Sequence, residues 1–378
     1  MVNTDKNMLT KEELNYYDRQ ILLDSIGVIG QEKLKNSKVL IIGAGGLGCP
    51  SLRYLASAGV GTLGVVDFDE VSISNLHRQI LFDFEDVKKN KAEIAVLKLK
   101  KVNPFLKYNA YPVRLSTENV LSIFEEYDII VDCTDNYESR FLINDACVLT
   151  GKPLVYGSIY KFEAQISVFN WKNGPTYRCL FKDFPSSEST ADCNSSGVLG
   201  VLPGIVGMYQ SNEVLKMILG IGEVMSGKLL IFNSLNNQST YFKVTRNSDD
   251  LYVDLISEKI LHPEKYIRSC SIANDVYEVD YEDIDLHDFQ VVDVRELFEL
   301  PLFENDSVLS VPLSELTESY SKISKEENIL LICKSGIRSM KALAILRDQF
   351  GYTNLKSLKG GVTEEIIEEL AEINTSKR

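Results

Sequence analysis

Two short stretches carry residue types that do chemistry. In the first, Gly43-Ala-Gly-Gly-Leu-Gly48, the glycines are spaced G-x-G-x-x-G. Gly43, Gly45, Gly46 and Gly48 permit a tight turn and let backbone amides approach a phosphate at a helix N-terminus. The second, Cys333-Lys334-Ser335-Gly336-Ile337-Arg338, sets a thiol at the mouth of a small glycine loop and a fixed cation at its end. A cysteine so placed faces loop amides and the positive end of the following helix dipole, which together favour a negatively charged sulfur.

Other polar residues gather around the first stretch. Asp67 stands roughly 20 residues on, where dinucleotide folds bind a ribose hydroxyl, so a nicotinamide or flavin enzyme is open at this point. The next run contains Ser74, Asn75, Leu76, His77, Arg78 and Gln79, with Lys91 one helix later. Its hydrogen-bonding side chains and two cations suit the charge of a triphosphate better than a redox cofactor. Asp135 and Asn136 follow an apolar strand, where open α/β sheets bind ligands, and Asp135 is placed to hold Mg²⁺.

These residues must be positioned by alternating strands and helices. Ser37–Gly43 and Thr62–Asp67 read as strands joined by a helix, a βαβ unit with parallel strands. A helix is expected over 11–36, others over 88–101, 140–149 and 206–219, and strands at Asp128–Asp132, Pro153–Gly157 and Ala164–Phe169. Texture changes to Asn, Gly, Pro and Ser between Asn170 and Gly197, as in a functional or disordered loop. The strand and helix pattern restarts at Phe289–Asp293, and Asn328–Cys333 is a strand whose helix begins near Ser339. The expected organisation is α/β throughout. A Rossmann-like domain spans 1–247, a linker 248–275, and a smaller α/β domain 276–378.

The totals narrow the function classes. The 378 residues suffice for two cores, and 44% hydrophobic with 25% charged residues is globular composition. A net charge of −14 repels a nucleic-acid backbone. The N-terminus has no apolar run of signal-peptide length and no later run reaches membrane-helix length, so a cytoplasmic protein without membrane contact is expected. Seven cysteines lack disulfide-framework spacing. Cys49, Cys133 and Cys147 fall within strand or helix patterns and read as small buried hydrophobes.

Five motifs, YYDRQI, GAGGLGCP, VDFDEVSISNLHRQ, DCTDN and VLGVLPGIVG, occur in the order of the E1-like adenylating enzymes. Over roughly residues 8–245 the chain resembles the MoeB/ThiF family, which activates ubiquitin-like sulfur carriers. The resemblance implies that Gly46 lies in the phosphate loop, that Asp67 binds the ribose, and that Ser74 to Arg78 and Lys91 contact ATP. It further implies that Asp135 and Asn136 organise metal and phosphates. Arg19 matches an arginine that reaches into the neighbour's active site, which implies a homodimer. Many members hold a structural zinc between two C-x-x-C pairs. Here the first place reads Thr176-Tyr-Arg-Cys179 and the second has no cysteine, so no zinc is expected. Cys193 matches a cysteine that some members bond covalently to the carrier.

From about Val276 to the C-terminus the chain resembles a rhodanese domain. Asp293-Val-Arg-Glu296, the Cys333 loop and Leu358-Lys-Gly-Gly361 carry the pattern, while Phe303-Glu-Asn-Asp-Ser replaces the usual His-Ile-Pro-Gly-Ala segment. In that family the cysteine carries a persulfide surrounded by the amides of Lys334 to Arg338. The two resemblances together imply adenylation of a carrier's C-terminal glycine, then sulfur transfer from Cys333 to form a thiocarboxylate. The implied carrier ends in Gly-Gly, in the manner of MoaD or ThiS, and the implied sulfur donor is a cysteine desulfurase or another source. The pathway, whether molybdopterin, thiamine or tRNA thiolation, stays open. So do two other readings, an NAD-dependent oxidoreductase with a fused sulfur-binding domain and a non-catalytic carrier-binding scaffold.

Overall fold

The sequence KVLII of β1 (Lys38–Ile42) is buried from Val39 onward, and its side chains alternate between two cores. Val39 and Ile41 enter one; Leu40 and Ile42 enter the other. A strand buried on both faces belongs inside a covered sheet. Accordingly β1 lies between β2 (Thr62–Val66) and β4 (Ile129–Asp132), parallel to both. The computed structural model describes residues 8–182, 197–247, 252, 255, 260–266, 277–299, 301–303 and 308–372.

The sheet has eight strands in the order β3-β2-β1-β4-β5-β6-β7-β8. Its other members are β3 (Lys107–Tyr111), β5 (Leu154–Tyr160), β6 (Glu163–Phe169), β7 (Lys228–Asn233) and β8 (Gln238–Lys243). Pairing is parallel from β3 to β5 and antiparallel from β5 to β8. The chain runs outward from β1 through β2 to β3, then returns to set β4 on the other side of β1. That reversal opens a crevice outside the carboxyl ends of β1 and β4.

The stretch 11–36, expected as one helix, forms three: α1 (Lys11–Tyr16), α2 (Asp18–Ile21) and α3 (Gly27–Asn36). The break before α3 falls at Gly27, whose φ of +58° is left-handed and suits glycine. α4 (Gly48–Ala58), α5 (Lys91–Val102) and α8 (Val201–Leu219) cover one face of the sheet through Leu52, Leu99 and Val206. α6 (Val120–Glu125) and α7 (Tyr137–Thr150) cover the other through Phe124 and Phe141. Their cores each bury whole aliphatic side chains, worth about 1.5–3 kcal/mol apiece.

The chain divides into two compact units, Met1–Ile267 and Arg268–Arg378. Within the stretch expected as a linker, Tyr252, Leu255, Leu261 and Tyr266 pack into the first unit's core. The second unit is a five-stranded parallel sheet ordered β11-β10-β12-β13-β9. Its strands are β9 (Glu278–Val279), β10 (Gln290–Asp293), β11 (Val308–Ser310), β12 (Ile329–Ile332) and β13 (Leu355–Leu358). Central β12, sequence ILLI, is buried at every position and delivers Cys333 at its carboxyl end.

Candidate functional site

The glycine loop follows β1 directly. Gly43 has φ +93°, and a Cβ there would lie 2.8 Å from the Cys133 carbonyl oxygen; one on Gly48 would lie 1.9 Å from the Gly43 carbonyl oxygen. No side chain fits either place, so the loop folds tightly against β4 and α4 starts at Gly48. At the end of β2, Asp67 Oδ2 accepts from the Ala44 amide at 2.7 Å, and Oδ1 accepts from the Asp69 amide at 2.9 Å. Burial pushes the Asp67 carboxyl up, while Lys91 and these amides oppose the shift.

A cavity of about 190 Å³ opens at this crevice. Gly43, Gly45, Gly46, Asp67, Arg78 and Gln79 line it, as do Lys91, Asp135 and Asn136. Lys91 arrives because Asn90 caps α5, accepting from the Glu93 amide at 3.1 Å and donating to the Asp67 carbonyl at 3.2 Å. The Lys91 ammonium lies 3.1 Å from Asp69 Oδ2. Arg78 is held by the Ser74 carbonyl at 3.0 Å; burial lowers its pKa, and the charge of Asp135 acts against that. Gln79 is buried, and its Oε1 has no hydrogen-bond partner among the described residues. A buried acceptor left open costs about 1–3 kcal/mol, a cost that a donor on a ligand removes.

β4 ends in a second arm. Asp132 Oδ1 accepts from the Thr134 amide at 2.9 Å and hydroxyl at 2.7 Å, and burial pushes its carboxyl up despite Arg140. Asn136 caps α7 by accepting from the Ser139 amide at 2.8 Å, leaving Asp135 exposed at the cleft. The structure therefore brings together most of the sequence candidates. Gly48, Ser74, Asn75, Leu76 and His77 do not line the cavity. Instead the Asn75 carbonyl accepts from the Arg78 and Gln79 amides, fixing the turn that aims them. Arg19 lies on α2 and does not line this cavity, and its side chain is 94% exposed to solvent. Cys193 lies outside the described residues.

In the second unit Cys333 is completely buried. Its Sγ accepts from the Ser339 amide at 3.3 Å, and Ser339 Oγ donates to the Gly336 carbonyl at 2.8 Å. The helix Ile337–Phe350 begins two residues earlier than expected, so this amide belongs to its first turn, where amides lack helical partners. Gly336, with φ +81°, turns the loop into that helix. A Cβ on Gly361 would lie 2.5 Å from the Cys333 carbonyl oxygen, so the late Gly-Gly pair packs directly against the loop. Arg338 forms a two-armed ion pair with Glu299, with Nη2 to Oε2 at 2.8 Å. Buried Asp293 and Arg295 pair at 2.9 Å behind them.

Residues 17–253 match the ThiF family and residues 281–365 the rhodanese-like domain. This chain belongs to the ThiF family. It is 37% identical over 373 residues to the probable adenylyltransferase/sulfurtransferase MoeZ of Mycobacterium tuberculosis, covering 94% of this chain and 93% of that protein. Over 377 residues it is 37% identical to the adenylyltransferase and sulfurtransferase MOCS3 of Drosophila yakuba, covering 94% and 83% of the two. A sulfur carrier protein adenylyltransferase of Thermus thermophilus is 48% identical over 243 residues, 63% of this chain and 90% of the relative. Among solved structures, E. coli MccB with ATP shares the fold at TM-score 0.55 and 24% identity, covering 64% of this chain and 75% of that one. Family membership replaces the dinucleotide-oxidoreductase and scaffold readings.

Where many ThiF members carry zinc cysteines, this ThiF unit has a polar network. Cys179 Sγ accepts from the Thr176 and Asn247 amides, both at 3.4 Å. Arg178 grips buried Asp145 with two bonds of 2.8 and 2.7 Å, and Tyr266 donates to the same carboxylate at 2.9 Å. Tyr252 donates to Thr176 Oγ1 at 2.6 Å. Among the described residues no three His, Cys, Asp or Glu side chains stand together as metal ligands. Tetrahedral zinc takes four ligands, and the described residues at this place offer one thiol, Cys179.

Sequence reasoning missed several cleft residues. Asp69 stands in the VDFDEVSISNLHRQ run without an assigned role, although two acids flanking one position after a strand is a readable signal. Arg140 donates to the Thr134 carbonyl at 3.0 Å and so braces the arm that carries Asp135. Ser158 to Lys161 line the cavity from β5 and its turn, with no local motif to announce them.

Proposed function

We propose that this chain, an adenylyltransferase and sulfurtransferase by family, adenylates the C-terminal glycine of a ubiquitin-fold sulfur carrier ending in Gly-Gly and then sulfurates it. The carrying observation is the convergence of Arg78, Lys91 and Asp135 on the glycine-loop cleft, in a chain that also holds the Cys333 loop. An ionised carboxylate needs no general base to attack the α-phosphorus. The carboxylate oxygen forms the new bond, pyrophosphate leaves with the electron pair, and Arg78 and Lys91 stabilise the spreading charge. Gln79 Oε1 accepts a hydrogen bond from the nucleotide, and Asp67 faces its ribose.

Asp69 and Asp135 give the cleft two carboxylates, hard oxygen donors of the kind that hold Mg²⁺ with substrate phosphates. An ion held there would supply neutralisation of charge on the leaving group. Structural zinc is given no part in this reading, which the single described thiol at Cys179 supports.

In the second step the outer sulfur of a Cys333 persulfide attacks the acyl carbon, and AMP leaves. A thiol then attacks the Cys333 sulfur, releasing the thiocarboxylate and leaving a disulfide for reduction. Cys193 is a candidate for a covalent bond to the carrier. The adenylation unit is assigned to 1–247 and the rhodanese unit to 276–378, in a cytoplasmic homodimer whose Arg19 completes the partner's site. The carrier serves molybdopterin, thiamine or tRNA thiolation, with a cysteine desulfurase or another source supplying sulfur. The test is pyrophosphate exchange with and without a Gly-Gly carrier, followed by mass spectrometry for one oxygen replaced by sulfur. Exchange independent of the carrier would sink the reading.

A further inference from the structure

The Cys333 loop ends in a cation, Arg338, that faces Cys333 electrostatically but is shared with a carboxylate. Arg338 donates through both arms to Glu299, and the side chains are only 17% and 20% exposed, so water does not dissolve the pair. Glu299 is itself fixed, since its Oε1 also accepts from the Glu296 amide at 2.9 Å. Its hydrogen bonds to Arg338 hold the Glu299 carboxyl below its ordinary value, and the same pairing raises Arg338. Glu296 adds a second negative charge within reach of Arg338. Lys334 is exposed on the loop. In the loop and the segment facing it, Lys334, Arg338 and Arg295 stand against Glu296, Glu299 and Asp293, so their formal charges sum to zero, and Lys359 on the turn packed against the loop is paired with Asp280.

That balance bears on how sulfur reaches Cys333, given the reading above in which Cys333 carries a persulfide. Thiosulfate arrives as a dianion. The Cys333 thiolate attacks its outer sulfur, the new S–S bond forms, the old one breaks, and sulfite departs as a dianion with the bonding pair. A hydropersulfide reacts as a neutral molecule. The same attack moves its outer sulfur and proton to Cys333, and the pair leaves on a thiolate. Only the first donor needs an uncompensated cation throughout.

We propose that Glu299 sets the sulfur-donor preference of this loop: by neutralising Arg338 it disfavours anionic sulfane donors such as thiosulfate and leaves thiol-borne persulfides as the substrate class. Glu299 touches neither donor. It acts through Arg338 as a positioning residue.

The experiment uses the full chain, with cyanide as acceptor and thiocyanate as readout, and compares thiosulfate with cysteine persulfide. In Glu299→Gln, of nearly equal shape, kcat/KM for thiosulfate should rise about tenfold, through KM, while cysteine persulfide changes by less than about twofold. The gain should shrink as salt is raised and vanish in the double variant Glu299→Gln/Arg338→Gln. The unsubstituted chain gives a test that needs no variant to fold: its thiosulfate kcat/KM should depend only weakly on salt. Equal losses with both donors, no gain with thiosulfate, or a steep salt dependence in the unsubstituted chain would each overturn the proposal. If that chain forms no Cys333 persulfide from either donor, the sulfurtransferase reading beneath it fails first.

Discussion

Lys91 Nζ lies 3.1 Å from Asp69 Oδ2 in the cleft that Arg78 and Asp135 also line. The ammonium is buried and the carboxylate half-exposed, so the ion pair holds a cation in the cleft, which under the proposed function serves a phosphate. Lys91→Met should lower carrier-dependent pyrophosphate exchange by about two to three orders of magnitude, the usual cost of removing one donor from a developing anion. Steady-state exchange at saturating ATP measures it. Exchange within a few-fold of the parent would remove Lys91 from the phosphate site.

The proposed function puts the two chemistries in different residues, which makes them separable. Asp135→Ala should abolish carrier adenylation and leave Cys333 able to accept sulfur from a donor. Cys333→Ala should do the converse, stopping thiocarboxylate formation while pyrophosphate exchange stays near the parent rate. Paired assays on both variants decide the point. Loss of both activities in Cys333→Ala would show that the division of labour is misread.

Legibility followed locality. Gly43, Asp67, Arg78, Lys91 and Asp135 were readable because each stands at a strand's end, in a turn or at a helix start whose chemistry is written in neighbouring residues. Ser158 to Lys161 were not, because the pairing of β4 with β5 brings them to the cleft, and no spacing encodes that neighbour. β3, KYNAY, was missed for a different reason: only Tyr108 is buried, so an edge strand lacks the apolar run that marked β1. β8, QSTYFK, is exposed at every position and shows still less pattern. In the second unit the loop was plain, but the Arg338–Glu299 pair joins residues 39 apart in sequence.

The network on Asp145 predicts metal-independent stability for the ThiF unit. Asp145 joins α7 to Arg178 and to Tyr266, the same kind of cross-link between distant segments that a zinc supplies. Chelator should leave the unfolding temperature of the full chain unchanged, and elemental analysis should find well below one zinc per chain. Asp145→Asn leaves a mostly buried guanidinium without its charge partner and should destabilise by about 3–5 kcal/mol. Denaturant unfolding measures that loss. A comparable loss on chelation alone would restore a metal to this place.

Glu299 also makes a prediction about acid. Its hydrogen bonds with Arg338 lower its carboxyl from the ordinary value of 4.5 in the folded chain. A depressed folded value means that the pair's stabilisation is fully present above the unfolded value and is lost as pH falls through the lower folded one. Glu299→Gln, which cannot ionise, should unfold at a lower temperature than the parent by a constant margin between about pH 5 and 8. The two curves should then converge as the pH falls through the folded value, which lies below the ordinary 4.5, where the parent's carboxyl takes up its proton. Thermal unfolding of both full chains across that range gives the comparison. A margin that persists in acid would assign the loss to packing around the Glu299 side chain, because protonation would already have removed the charge from both proteins.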